Sequence, residues 1–333
     1  MITGLNNGGA EAVLFRLCTY DKVHKHIVVS LIDAGKYGPL LQEKGIVVYS
    51  LNMPVGRVTI SGLLNLYKLI KIHNPDIVQT WMYHADLIGG VVAKLAGIRT
   101  VLWNIRHSTL ETGKSKRTTL LVAKLCAWLS HFLPEKIICC AHKAQKVHST
   151  LGYDSTKMAV ISNGYDLGMF KPSVEQYQAF RVECVVDSNV FFMGMVGRFD
   201  VQKDHFGLLG ALSIVKKSGY KFKFSLIGKS LNSQNTMLVE KIHSFGLDKY
   251  LLLLDQRNDI PNVMNGLDCH VLSSSFGEAF PNVLAEAMAC GIPCVTTDVG
   301  DATLIVGDTG WVVPPKDSHA LARAIMNVMD EKK

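Results

Sequence analysis

The chain has 333 residues with 35 Lys and Arg against 28 Asp and Glu, a formal charge of +7; 48% of its residues are apolar and 19% charged. That composition excludes a disordered, low-complexity or collagen-like chain and points to one or two globular domains with a sizeable core. The charge is uneven: residues 1–165 hold 19 basic side chains against nine acids and the remainder 16 against 19, so the halves are +10 and −3. A basic half suits nucleic acid, an anionic membrane or a phosphorylated substrate, and charge alone does not choose among them.

Met1 runs directly into the turn-rich GLNNGG, so no secretory leader is expected. Lys94 and Lys124 interrupt the longest apolar stretches before about 18 residues, so no membrane span is expected either. The eight cysteines (Cys18, Cys126, Cys139, Cys140, Cys184, Cys269, Cys290 and Cys294) form no CxxC pair and lie mostly in apolar runs, which reads as reduced core thiols of a cytosolic protein. Cys290 and Cys294 lack a second Cys/His pair at ligand spacing, so no zinc site is expected.

In chain order, residues 1–3 are all that remains for a first strand, short of the roughly five residues a strand usually takes. Gly8 and Gly9 follow it and open a helix through Glu11 and Ala12. The β-branched runs 26–32, 76–80, 99–105 and 136–141 read as buried parallel strands, separated by helical apolar spacing over 61–73 and 85–96. The pattern restarts with strands at 189–198, 222–228, 250–254, 268–273, 293–297 and 311–313. Repeated βα units predict an α/β chain of two Rossmann-like, doubly wound parallel-sheet domains facing across a cleft, with ligand at the carboxyl ends of the strands. The domains are placed at 1–165 and 189–333. Residues 166–188 are read as a linker, because the stretch from Asn163 to Gln176 carries Gly and Pro punctuation without periodicity.

The chemistry concentrates in the second half. In SSSFGEAFPNVLAEAMACG, from Ser273, Glu278 and Glu286 are separated by seven residues, Pro281 stands at the first turn of a helix, and Gly291 ends it after Cys290. Free backbone N–H groups near Asn282 and Val283 would bind a phosphate, with the two carboxylates taking hydroxyl groups on either side of it. On spacing alone, an ordinary amphipathic helix with two solvated glutamates fits equally well. In VGRFDVQKD, a strand ends at Gly197 and Arg198, and Lys203 follows five residues later; a guanidinium fork and a mobile ammonium together would neutralise a leaving diphosphate.

These blocks resemble the retaining GT-B glycosyltransferases of family 4, and within it the bacterial transferases of O-antigen and other surface-polysaccharide assembly. Four features match in order: GLNNGGAE at 4–11, SNGYDLGMF at 162–170, VGRFDVQKD at 196–204, and the Glu278/Glu286 pair. The resemblance implies that Arg198 and Lys203 hold the donor diphosphate, that Glu286 bonds the ribose and Glu278 the donor-sugar hydroxyls, and that Ala279, Phe280, Pro281, Asn282 and Val283 line the sugar and phosphates. Ala279 stands where the family often has glycine. Gly8 and Gly9 let backbone approach a phosphate or acceptor, or simply form a tight turn; they lack the GxGxxG spacing of a dinucleotide site, which disfavours a dehydrogenase. Arg106 and His107 end a strand where the family commonly places a His facing the donor sugar, although a polar loop residue is the ordinary reading.

No DxD sequence occurs, so positive side chains and the helix start are expected to replace a metal, and no cofactor is expected. Residues 114–136 combine Lys114, Lys116, Arg117 and Lys124 with Leu120, Leu121, Leu125, Trp128, Leu129 and Phe132, which makes either a basic amphipathic helix on an anionic membrane or a core-packing helix with a solvated end. Polyprenyl-linked acceptors in the resembling family favour the membrane. Arg257, in the run 251–264, is expected near the base pocket. The chain also stops after a helix near 317–330, without the further helix that crosses back onto the first domain in the resembling family, which reads as a shortened or divergent form. The resulting expectation is a peripheral enzyme on the cytoplasmic face of the plasma membrane, with no nucleic-acid partner. It would move a hexose or N-acetylhexosamine from UDP to a polyprenyl-diphosphate-linked glycan in lipopolysaccharide O-antigen biosynthesis. The alternatives are a sugar-nucleotide epimerase of the same shape and a nonenzymatic nucleotide-sugar or glycan-binding subunit.

Overall fold

The computed structural model describes residues 1–108, 110 and 117–331 and divides into two compact units, Met1–Gly164 and Tyr165–Lys333. The first contains α1 (Gly9–Tyr20), β1 (Ile27–Ser30), α2 (Tyr37–Glu43), β2 (Val47–Ser50), α3 (Ile60–His73), β3 (Ile77–Trp81), α4 (Tyr83–Leu95), β4 (Thr100–Ile105), α5 (Arg117–Leu129), β5 (Lys136–Cys139), α6 (His142–Leu151) and β6 (Met158–Val160). The second contains α7 (Val174–Glu183), β7 (Phe191–Val196), α8 (His205–Lys217), β8 (Phe222–Ile227), α9 (Thr236–Ser244), β9 (Leu251–Leu253), α10 (Ile260–Asn265), β10 (Cys269–Leu272), α11 (Asn282–Ala289), β11 (Cys294–Thr297), α12 (Ala302–Val306), β12 (Trp311–Val313) and α13 (Ser318–Glu331). Every strand pair is parallel.

In the first unit β1 pairs with β2, and β3 to β6 pair in order. The missing first strand is a single residue. Ile2 bridges Ser30 on one side and Trp81 on the other; its N–H donates to the Val29 carbonyl at 2.9 Å and its carbonyl accepts from Leu31 N at 3.0 Å. Those bonds join the two pieces in the order β2-β1-Ile2-β3-β4-β5-β6, with Ile2, Trp81, Trp103 and Ile137 at most 2% exposed in the core. Gly35 is fixed by backbone, since its φ is +47° and a Cβ there would lie 2.4 Å from Leu5 backbone.

The second unit has the order β12-β11-β10-β7-β8-β9. The chain starts in the middle at β7, winds outward through β8 and β9, then returns to the other side of β7 through β10. The order therefore reverses between β7 and β10, which is where an open α/β sheet offers a crevice at the carboxyl ends of its strands. Strand interiors such as Phe192, Met193, Phe224, Leu226 and Val271 are fully buried, the cause of the uninterrupted apolar runs in the sequence.

Residues 166–188, expected as a linker, are packed into the second unit instead. Ser173 caps α7 by accepting from Gln176 N at 3.2 Å, and Phe180 is fully buried. Arg181 donates to Asp268 Oδ2 at 2.9 Å and to the carbonyls of Asp187 and Val190 at 2.7 and 2.5 Å. A short polar stretch gave no apolar period because α7 is held by this buried guanidinium and one aromatic anchor rather than by a stripe. Among the described residues no helix is long and apolar enough to cross a membrane.

Candidate active site

The loops after β7 and β10 meet at the reversal point. After β7 the chain passes Gly197 and Arg198 into a 3-10 turn, Val201–Lys203, capped by Asp200, whose side chain accepts from Gln202 N at 2.9 Å. After β10 it runs Ser273 to Pro281 and enters α11, with Pro281 at the N-cap position. Ser275 N donates to the Gln202 carbonyl at 2.8 Å and Ser273 Oγ to the Lys203 carbonyl at 2.8 Å, so one backbone bond and one side-chain bond tie the two loops together.

Their side chains converge on one carboxylate. Lys203 Nζ donates to Glu278 Oε1 at 2.6 Å, and Ser274 Oγ donates to the same oxygen at 2.6 Å. Both members of the ion pair are largely buried, their side chains 11% and 10% exposed. Burial pushes the Glu278 pKa up, but the Lys203 ammonium and hydrogen bonds from Lys203, Ser274 and Gln202 outweigh it, and the carboxyl titrates below its usual range. His205 and His270 lie near the same ammonium; burial and then the Lys203 charge push them down to about 4 and about 3. Both rings are neutral at physiological pH, leaving Lys203 as the charged base of this buried group.

Three glycines are required by this geometry. Gly228 (φ +149°) passes so close that a Cβ would stand 2.2 Å from the Gly197 carbonyl. Gly277 (φ +83°) lies against Gln202, and Gly300 (φ +69°) against the Glu278 and Ala279 carbonyls, where a Cβ would come to 2.5 and 2.6 Å. The loop presenting Glu278 is thus approached by the Gly300 backbone, where a side chain would clash with its carbonyls, and turns at Gly277 through a positive φ.

Arg198, at the mouth of the site, is 57% exposed and bonded to Asp200 at 3.1 Å and Gln202 at 3.4 Å, a loosely held fork. Glu286 lies one turn into α11 and is half-buried, as are Phe280, Asn282 and Val283. Arg257, expected near a base pocket, has its guanidinium engaged by Glu183 and Asp259 and stacked over Phe180 at 5.4 Å, which fits an anchor between α7 and α10. Tyr165 was not singled out by sequence; its hydroxyl donates to Asn282 Oδ1 at 2.6 Å and its ring stacks on Phe280 at 6.5 Å, interplanar angle 24°. The only sequence signal for it was its place in SNGYDLGMF.

In the first unit Gly8 caps and Gly9 begins α1. Arg106 lies over Trp81 at 4.1 Å and donates to Asn163 at 2.6 Å and Asn104 at 3.2 Å; His107 follows it, half-buried. Asp86, fully buried, accepts from Thr80 at 2.6 Å, and burial pushes its pKa up to about 8.

Two family models match successive parts of the chain: one described as Glycosyltransferase Family 4 over residues 7–168, the other as Glycosyl transferases group 1 over residues 190–331. The chain is a glycosyltransferase, with a family 4 domain followed by a group 1 domain. This glycosyltransferase is 28% identical over 81% of its length to an Escherichia coli protein named UDP-Gal:alpha-D-GlcNAc-diphosphoundecaprenol alpha-1,3-galactosyltransferase, covering 70% of that protein. It is 26% identical over 82% of its length to the capsular polysaccharide biosynthesis glycosyltransferase CapM of Staphylococcus aureus, covering 72% of it. Among solved structures, Anabaena HepE in complex with UDP and glucose superposes with a TM-score of 0.86 at 22% identity, over 99% of this chain and 90% of that one. That likeness establishes the GT-B fold of the glycosyltransferase, in agreement with its two parallel-sheet units.

Proposed function

We propose that this glycosyltransferase moves a hexose or N-acetylhexosamine from UDP to a glycan on a polyprenyl diphosphate carrier, with retention at the anomeric carbon and without a metal ion. The step would belong to O-antigen-type surface-polysaccharide assembly on the cytoplasmic face of the membrane. The observation that carries the reading is the buried Lys203–Glu278 pair at the reversal point of the second sheet. An isolated structural ion pair would gain little by lying at a ligand crevice between glycine-shaped loops, whereas a diphosphate donor needs a cation there and its sugar a carboxylate beside it.

In this reading Lys203 and Arg198 neutralise the diphosphate, the N–H groups of Asn282 and Val283 at the start of α11 add to them, Glu278 accepts from sugar hydroxyls, and Glu286 accepts from the ribose. Ala279, Phe280 and Pro281 line the sugar, and Gly197 keeps the β7 end open. The acceptor hydroxyl oxygen bonds to the anomeric carbon on the face that UDP leaves. The anomeric C–O pair departs with the β-phosphate, and a phosphate oxygen takes the hydroxyl proton. Charge grows on the leaving group, where preorganised cations have their largest effect.

Support for the lipid-linked acceptor comes from the name of the Escherichia coli relative and from α5. Leu121, Leu125 and Trp128 on α5, with Phe132 beside Trp128 in the turn that follows, are 67%, 44%, 63% and 67% exposed, against the core-packing alternative; Arg117 and Lys124 are also exposed, while Lys114 and Lys116 lie outside the described residues. Such a stripe suits an anionic bilayer surface. The deciding assay offers a panel of nucleotide sugars with lipid-linked acceptors, reads products by mass and anomeric configuration by NMR, and repeats the active pair with EDTA. Retained configuration and EDTA-insensitive turnover are expected; donor consumption without acceptor, or an inverted product, would overturn the reading.

Tyr165→Phe keeps the ring on Phe280 and removes the hydroxyl's bond to Asn282. Losing one neutral hydrogen bond that sets the start of α11 should raise the donor KM about three- to tenfold with kcat nearly unchanged. Steady-state kinetics would check this, and an unchanged donor KM would show that Asn282 needs no such support.

A further inference from the structure

The apolar surface of the first unit does not end at α5. Between α3 and α4 runs a groove of about 380 Å³ walled by Val58, Leu64, Tyr67, Ile88, Val91 and Leu95, with almost no polar lining. Val58, Leu64 and Leu95 at its rim are 54%, 55% and 72% exposed. α4 packs against α3 on one side and α5 on the other, so the groove and the α5 stripe belong to one surface. Exposed apolar surface of this extent is otherwise a liability, and it marks a contact with something apolar.

Charge on the same helices specifies that partner. α3, α4 and α5 contain a single acidic residue, Asp86, which is fully buried, whereas Lys68, Lys71, Arg117 and Lys124 are exposed, with Arg57 exposed just ahead of α3. A ligand with a hydrocarbon body and an anionic head is complementary to both features. Bilayer acyl chains are served by a convex stripe such as that of α5. A concave slot is needed only for a chain drawn out of the bilayer.

We propose that the α3–α4 groove holds the head-proximal isoprene units of the carrier lipid, while α5 rests on the bilayer. The assignment rests on the lipid-linked acceptor proposed above and adds a site for its hydrocarbon chain. Occupation of the groove would draw the diphosphate end of the carrier out of the headgroup region.

The test is titration of the full chain with farnesyl diphosphate, inorganic diphosphate and dihexanoyl phosphatidylglycerol, in detergent-free buffer with excess UDP occupying the donor site. Farnesyl diphosphate is expected to bind at least tenfold more tightly than either of the others. Val91→Trp, which fills the groove, and Leu64→Glu, at its exposed rim, should each abolish that preference; the second variant serves if the first fails to fold. Trp128→Ala with Phe132→Ala should leave the preference intact and reduce co-sedimentation with phosphatidylglycerol vesicles. Wild-type farnesyl binding in both groove variants overturns the proposal, and so does equal affinity for dihexanoyl phosphatidylglycerol. Groove-dependent farnesyl binding in an enzyme whose acceptor proves not to be lipid-linked would overturn the acceptor reading and leave the groove standing. Transfer to a lipid-linked acceptor by groove variants with an unchanged KM would do the reverse.

Discussion

Lys203→Met should lower kcat about 100- to 1000-fold, the size of effect seen when one preorganised donor to a developing anion is removed. The variant should also be less stable, because the lysine is no solvated surface cation: its removal leaves the Glu278 carboxylate buried without its countercharge, at a cost of about 3–5 kcal/mol. A drop in turnover would then be open to a trivial explanation. The double variant Lys203→Met with Glu278→Gln removes both charges together and should recover most of the lost thermal stability, since a buried pair replaced as a whole is close to neutral. Turnover should stay low. Calorimetric Tm and kcat measured on the two variants separate the roles, and a folded Lys203→Met enzyme with near-normal kcat would remove the lysine from the donor site.

Glu278→Gln alone should cut kcat/KM for the donor about 10- to 100-fold, the equivalent of one hydrogen bond to a charged group. It also changes the acid limb of stability. The folded-state pKa of Glu278 lies below its ordinary value of 4.5, so the carboxylate's contribution is fully present above pH 4.5 and is lost as pH falls through the folded value. Wild type should therefore lose more stability than Glu278→Gln between pH 5 and the acid midpoint, and parallel Tm curves over that range would contradict the pairing.

The ion pair also bears on donor entry. Under the proposed function, donor phosphates would compete with Glu278 for the Lys203 ammonium, and the carboxylate they displace would turn to the sugar hydroxyls.

Much of this was legible in the chain. The uninterrupted apolar runs became the central strands, Pro281 and Gly291 bracket α11 as their conformational preferences require, and Arg198 and Lys203 follow β7 as expected. What escaped had weak local signals. β2 and β6 are short strands at the two ends of their sheet, partly exposed, and their apolar runs, 46–49 and 158–161, are only four residues long. The Lys203–Glu278 bond joins residues 75 positions apart, and nothing at either position announces the other. Arg257 is a like case: it is held by Glu183, 74 residues away, and nothing near it in the chain announces that partner.

The eight cysteines, all buried, turn the chain into its own stability gauge. Four of them, Cys18, Cys126, Cys139 and Cys140, belong to the first unit and four, Cys184, Cys269, Cys290 and Cys294, to the second. Burial holds the thiols of Cys18, Cys184 and Cys290 up at about 11 and that of Cys139 at about 12, so in the folded state they are both inaccessible and almost wholly protonated. An alkylating reagent can reach them only through opening of the unit that contains them. Labelled peptides read by mass would therefore time the breathing of the two halves independently, and would show which half a bound nucleotide sugar clamps shut.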